Sequence, residues 1–168
     1  VLQHEYQHNE TMLQTVQLKR GRAYAAPRSA EPPAIDPGAP LPGTMVRFPG
    51  GSIELGTDDR SVAYDNERPR HEVTLDAFWM DVHPVTNGEY LRFLEDGGYT
   101  EKQHWSDTGW AWKQEAGLVA PAYWLRRDEG WHQRIMDEIG RLELTSPVCH
   151  ICYWEAEAYA AWAGKRLP

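Results

Sequence analysis

The chain has 168 residues, a formal net charge of −8 at pH 7 and a sequence pI near 5.3. An acidic chain offers no positive field to a phosphate backbone, which argues against DNA or RNA as a partner. No apolar run reaches the roughly 18 residues of a membrane span, and the N-terminus lacks the pattern of a signal peptide. We therefore expect a cytoplasmic monomer that binds neither nucleic acid nor membrane.

The first predicted element is a helix from about Leu2 to Lys19, a stretch without glycine or proline that ends in Lys19-Arg20-Gly21. Cations and a glycine are favoured at a helix C-terminus. His4 and His8 lie one turn apart on one face of this helix, so their imidazoles can share a metal ion.

The positions of the neighbouring side chains around the helix suggest different roles. Gln7 flanks the direction of His4, whereas Glu10 points roughly 120° away because each residue advances about 100°. We therefore expect Gln7 to contact a molecule bound at the metal and Glu10 not to ligate the ion.

Three interpretations of the histidine pair remain open. The first is a structural helix whose histidines are partly buried and hydrogen-bonded. The second is a zinc hydrolase, since His4-Glu5-x-x-His8 has the form H-E-x-x-H with Glu5 as general base, although the G-x-x-H continuation of one zincin class is missing. The third is non-haem iron, with the remaining ligands supplied before residue 1.

Composition changes abruptly after the first helix. Six prolines and two glycines between residues 27 and 43 allow neither a helix nor a strand ladder, so this segment is predicted to be a semi-rigid linker. Residues 1–26 would then end one domain and residues 44–168 begin another.

The second region predicts short strands followed by a helix. Met45–Phe48 and 52–56 are expected to be two strands about the turn Pro49-Gly50-Gly51, and residues 71–75 and 77–82 two more. Thr86-Asn87-Gly88-Glu89 has the form of a capping box, and the helix that it starts should stop at Gly97-Gly98.

The remainder is rich in tryptophan. Residues 99–114 show little periodicity and are predicted to be an ordered loop held by aromatic packing, a character that Trp124 and Trp131 continue. The last predicted helix covers residues 154–163 with Gly164 as C-cap, and its alanines would let it lie close to a sheet. Cys149 and Cys152 are too few for a structural zinc site and are interpreted as small residues near the start of this helix. The predicted fold class is α+β, with two helices in this region.

Several motifs resemble known proteins. F-W-M-D-x-x-P-V-T-N-G-E-Y at residues 78–90 and W-E-A-E-A-Y-A-x-W-A-G-K-R-L-P at residues 154–168 resemble the formylglycine-generating-enzyme (sulfatase-modifying factor) domain, a C-type-lectin-like fold. Together with the H-x-x-x-H-x-E helix, they resemble the sulfoxide synthases of ergothioneine biosynthesis (hercynine oxygenases), which place a DinB-like helical bundle before such a domain.

The resemblance implies a mononuclear Fe(2+) centre with three histidine ligands. Two match His4 and His8, the third would lie upstream of Val1, and the residue matching Gln7 lies beside the substrate imidazole. The implied reaction uses O₂ to join hercynine to gamma-glutamylcysteine or cysteine and to form a sulfoxide. The proton-donating tyrosine is expected beyond Pro168 and the thiol-binding arginines before Val1, so no catalytic residue is assigned within the chain.

Two alternatives belong to other functional classes. One is the zinc hydrolase described above, and the other is a non-catalytic lectin-like binding module with structural histidines. Within the aromatic segment, structural packing is the interpretation preferred over cation–π contact between a tryptophan and the substrate's trimethylammonium group.

Overall fold

The computed structural model describes residues 2–19, 41, 43–61 and 63–168, with the side chains of the first helix described from His4 onwards. Helix α1 covers Leu2–Leu18, as the sequence predicts. Most of the predicted linker, residues 27–43, lies outside the described residues. The chain divides into two compact units, Val1–Val16 with Pro33–His83 and Gln17–Pro32 with Pro84–Pro168. Within the described residues, no helix is long and apolar enough to cross a membrane.

The strands of the first unit form an antiparallel ribbon in two parts. Its strands are β1 (Met45–Phe48), β2 (Gly51–Leu55), β3 (His71–Leu75) and β4 (Phe78–Asp81). β1 pairs with β4 and β2 pairs with β3, and the same register runs through both pairs. The four predicted strands are thus confirmed.

The turn predicted between β1 and β2 is wrong. Pro49 and Gly50 interrupt the ribbon opposite Asp76 and Ala77, and the chain continues in the same direction instead of reversing. Pro49 has no N–H to donate to a ladder. Gly50 has φ +78°, and a Cβ there would lie 2.7 Å from the backbone nitrogen of Ala77. A proline–glycine pair therefore marks a break in pairing here.

The described residues of the second unit form three α-helices and a three-stranded antiparallel sheet. The helices are α2 (Asn87–Glu95), α3 (Asp107–Ala116) and α4 (Tyr153–Trp162). The sheet has the order β5 (Trp124–Arg127), β6 (Gly130–Ile135) and β7 (Glu138–Arg141). The predicted α+β class is confirmed, although the sequence predicts only two of these helices and none of these three strands.

Helix α2 begins at the predicted capping box. The Thr86 hydroxyl accepts a hydrogen bond from the Glu89 N–H at 3.2 Å, and the Glu89 carboxylate accepts one from the Thr86 N–H at 2.9 Å. Two N–H groups that the helix leaves without internal partners are satisfied in this way.

Helix α3 lies where the sequence predicts a loop. Its N-cap is Ser106, whose hydroxyl accepts a hydrogen bond from the Gly109 N–H, and its C-cap Gly117 has φ +62°. Caps at both ends define this short helix although its hydrophobic residues are not arranged with a helical period. The absence of periodicity was therefore a misleading signal.

Helix α4 packs mainly on other helices and not on a sheet. Its main neighbours are α2, α3 and the 3₁₀ turn Lys102–His104. The cluster that it closes is aromatic and includes Tyr90 and Phe93, both fully buried. The fully buried Ala158 belongs to the same cluster, so a small side chain of this helix packs with these rings.

Candidate metal centre

His4 and His8 come together on α1. Their Nε2 atoms lie 3.0 Å apart, the ring centroids 4.5 Å apart and the ring planes at 85° to each other. Both side chains are exposed to solvent. The helix thus presents two imidazole nitrogens at one point on its surface, as their spacing predicts.

This arrangement fits the donor set of an iron(II) site. Two nitrogens that ligate one ion at roughly 2.1 Å in adjacent positions lie about 3 Å apart. Neutral imidazole is a ligand that suits iron, zinc, copper and nickel. The observed Nε2–Nε2 distance, which in the structure is that of a hydrogen bond between the two rings, therefore also matches the spacing of two neighbouring ligands.

The pair does not form a complete site in the part of the chain that the structure describes, where no group of three His, Cys, Asp or Glu residues could hold an ion. Gln7, Glu5 and Glu10 lie on the same exposed stretch of α1. The Gln7 backbone carbonyl accepts a hydrogen bond from the Thr11 hydroxyl at 2.9 Å, and the Gln7 side chain is exposed. The assignments of His4 and His8 as ligands and of Gln7 as a substrate contact remain predictions.

Trp105 and Trp110 pack against other parts of the protein, which agrees with the structural interpretation preferred from the sequence. Trp105 is 7% exposed and donates from its indole N–H to the Gly98 carbonyl at 2.7 Å. Trp110 packs against it, with ring centroids 6.2 Å apart. Cys152 is the N-cap of α4 and Cys149 is exposed, so both lie near the start of this helix as predicted.

Sequence reasoning missed a polar cluster around Arg134 on β6. Its guanidinium lies 4.6 Å from the centroid of the Tyr123 ring, and the His150 ring packs edge-on against Tyr123 at 4.8 Å. The same guanidinium donates hydrogen bonds to the backbone of Gln17 and Lys19. No local motif signals this cluster, because its members are brought together only by folding.

Most of the chain matches a known family. Residues 31–168 match the model of the sulfatase-modifying factor enzyme 1-like domain, so the chain belongs to this FGE-sulfatase family.

Several relatives with similar sequences are named hercynine oxygenase. The chain is 45% identical over its full length to the hercynine oxygenase of Mycolicibacterium smegmatis, of which it covers 38%. It is 46% identical to that of Mycobacterium tuberculosis, of which it covers 39%. Identity to the formylglycine-generating enzyme of Bos taurus is 35% over 87% of the chain and 43% of that protein. The chain thus spans about two fifths of the hercynine oxygenases that it matches, and the resemblance stated from its motifs is confirmed.

Proposed function

We propose that this chain supplies two iron ligands and a substrate contact to an enzyme that joins hercynine to a cysteine-containing thiol in ergothioneine biosynthesis. The observation that carries the proposal is the 3.0 Å separation of the Nε2 atoms of His4 and His8. The relatives named hercynine oxygenase support the choice of hercynine as substrate, because the full length of this chain aligns with them.

The proposed reaction is balanced without an external reductant. A C–H bond of hercynine and the S–H bond of the thiol are replaced by a C–S bond, and the sulfur is oxidised to a sulfoxide. The two substrates lose four electrons in total, and O₂ accepts them, leaving one oxygen atom in the sulfoxide and one in water. Iron(II), held by His4, His8 and a ligand from outside this chain, would supply a redox-active centre at which thiol and O₂ meet.

The residues of this chain would bind and orient. His4 and His8 would use their neutral Nε2 atoms as ligands, which places the remaining proton of each ring on Nδ1. Gln7 follows His4 by three residues and carries an amide that can both donate and accept a hydrogen bond. An imidazole ring such as that of hercynine offers one donor and one acceptor, so the amide could fix its orientation.

Metal analysis of the complete protein tests the proposal. We expect bound iron(II), with binding lost in His4→Ala and in His8→Ala because each removes one of two neighbouring donors. Gln14→Ala is the matched control, since Gln14 is an exposed residue of the same helix. Bound zinc together with a hydrolase activity that Glu5→Gln abolishes would establish the hydrolase alternative instead.

A further inference from the structure

The connection between β2 and β3 forms a concave site of its own. Residues 56–70 lie wholly within the first unit, and all of them except residue 62 are described. They surround a pocket of about 450 Å³, to which Leu55 of β2 and His71 of β3 also contribute. Pockets of this size accept small molecules. The side chains that line it therefore indicate what it can bind.

Hydrogen bonds within the connection hold its backbone in one conformation. The Thr57 N–H donates to the Glu67 carbonyl at 3.1 Å, and the Ala63 N–H donates to the Asp59 carbonyl at 3.2 Å. Gly56 has φ +75°, and a Cβ there would lie 2.6 Å from the Glu67 carbonyl oxygen, so this close approach requires glycine. The pocket is thus preformed and does not depend on a ligand for its shape.

Arg68 is a half-buried cation that lines this pocket. Its Nε atom donates to the Tyr64 carbonyl at 3.1 Å, which fixes the plane of the guanidinium and leaves its two Nη groups to other partners. Among the described residues, no carboxylate oxygen lies within 4.0 Å of this guanidinium, whereas Arg70 pairs with Glu54 at 3.6 Å. Arginines that are removed from water are normally paired. The guanidinium of Arg68 is therefore well suited to an anion that enters the pocket.

Two further polar side chains line the pocket beside Arg68. The Nδ1 atom of His71 lies 3.0 Å from the Pro69 carbonyl, which can only accept, so Nδ1 carries a proton and Nε2 is the ring nitrogen left for a ligand. Asn66 is exposed and its amide can donate. Glu67 is the one carboxylate among the described lining residues, and its Oε2 atom accepts a backbone N–H at 2.9 Å.

A second cleft of about 300 Å³ also reaches Arg68 but suits an anion less well. It is lined by Asp58 and Asp65 as well as by Arg60. Two carboxylates there oppose a bound anion, whereas the larger pocket has a single carboxylate that is engaged with the backbone. The larger pocket is therefore the better place for an anion.

We propose that this larger pocket binds the carboxylate of a small organic acid, with the Arg68 guanidinium as its main partner. The planar fork of an arginine matches the two oxygens of a carboxylate and makes short, charge-assisted hydrogen bonds to them. His71 and Asn66 would contact the same carboxylate, and Leu55 and Ala63 would pack against the hydrocarbon part of the acid. The site is separate from the proposed iron centre, because none of its residues belongs to α1.

Protection of Arg68 from phenylglyoxal tests the proposal in the complete protein. The reagent modifies accessible guanidinium groups, and mass spectrometry of the peptides measures the extent of modification at each arginine. We expect glutarate, a small dicarboxylate, to protect Arg68 with half-protection at about millimolar concentration. Arg70 is the internal control, since it lies outside the pocket, and its modification should not change with glutarate at constant ionic strength.

Matched ligands and variants separate binding in the pocket from a general effect of salt. Glutaramide has the same carbon chain without the charges and should not protect Arg68, and inorganic phosphate should protect it more weakly than glutarate. His71→Ala should raise the half-protecting concentration of glutarate by about 3- to 10-fold, because one hydrogen bond is lost. Thr74→Ala, an exposed position of the same strand outside the pocket, should leave that concentration unchanged.

Several results would overturn the proposal. Equal protection of Arg70, or equal protection by glutaramide, would show that no carboxylate binds in the pocket. Equal protection by phosphate would overturn the assignment to carboxylates. An Arg68 that resists phenylglyoxal in the absence of glutarate would show that its guanidinium is closed to ligands. Iron(II) binding bears only on the proposed function, so the two proposals can fail separately.

Discussion

Gln7 has a proposed role that differs from that of the two neighbouring histidines. Its side chain is exposed beside His4 and His8, and we assign it to the substrate and not to the ion. Gln7→Ala in the complete protein should therefore keep its iron(II) but weaken hercynine binding by about 10-fold, since a lost hydrogen bond is worth about 1 kcal/mol or somewhat more. Isothermal titration with hercynine measures this effect, and loss of the metal from the variant would contradict the assignment.

His150 makes stability depend on pH. Burial, and secondly the guanidinium of Arg134, lower the pKa of His150 below its ordinary 6.5. The unfolded chain therefore binds a proton on this ring at a higher pH than the folded protein does. The contribution to stability is present above pH 6.5 and is lost as the pH falls through the window between 6.5 and the lower folded-state pKa.

We predict that His150→Asn reduces the loss of stability on acidification. Asparagine has no titrating ring and tolerates the positive φ of this position better than most residues. The measurement is the denaturant midpoint at a series of pH values from about 7 to about 5, in both proteins. A pH dependence that is unchanged in the variant would show that His150 does not titrate between the folded and unfolded states as described.

At the scale of the element, the end of α2 depends on close packing at a glycine. A Cβ on Gly98 would lie 2.5 Å from the Cε2 atom of the fully buried Phe93. The backbone cannot easily move away, since the Gly98 N–H donates to the Phe93 carbonyl at 2.9 Å and the Gly98 carbonyl accepts from Trp105 at 2.7 Å.

We therefore expect Gly98→Ala to destabilise the fold by about 1–3 kcal/mol through overpacking. Gly140→Ala is the control, because a Cβ there meets nothing within 4 Å, and it should change stability by less than about 0.5 kcal/mol. Denaturant unfolding of the two variants in parallel measures the difference. Equal stabilities would mean that the Phe93 ring moves aside without cost.

The elements that the sequence predicts correctly are those with local signals. The capping box at Thr86 predicts α2, and the glycine after α4 predicts its end, where the Lys165 N–H donates to the Ala160 carbonyl and the Gly164 N–H to the Ala161 carbonyl. Helix α3 was missed because the segment lacks hydrophobic periodicity, although Ser106 and Gly117 at its two ends are usable cap signals.

The β5–β7 sheet was missed for a related reason. Its turn between β5 and β6 ends at Gly130, with φ +116°, which is a usable hairpin signal. Because Trp124 and Trp131 continue the tryptophan-rich character of the preceding segment, the sequence predicts an irregular loop for them. Burial of Gln17 had no signal at all, because its partner Arg134 lies 117 positions away in the sequence. Local chemistry can be predicted from the sequence, whereas pairing between distant residues requires the fold.

At the scale of the whole molecule, the proposed iron centre needs more donors than the His4–His8 pair supplies. The described residues bring together two imidazoles and no third donor of the kinds that complete such a site. We predict that the 168-residue chain alone shows no sulfoxide synthase activity, because the proposed centre would need a third iron ligand and a proton donor that the described residues do not supply beside His4 and His8. An assay with hercynine, thiol and iron(II) checks this, with the complete protein as positive control, and turnover by the chain alone would contradict this prediction.

The ribbon of the first unit also has a consequence for the order in which the chain folds. Pairing β2 with β3 closes only the connection formed by residues 56–70, whereas β1 and β4 are separated by residues 49–77. Once β2 and β3 have paired, Phe48 and Phe78 each lie only three residues along the chain from the paired residues Gly51 and Leu75. Pairing β1 with β4 then costs little further loop entropy. The outer pair should therefore close last, and substitutions in it should accelerate unfolding more than they slow folding.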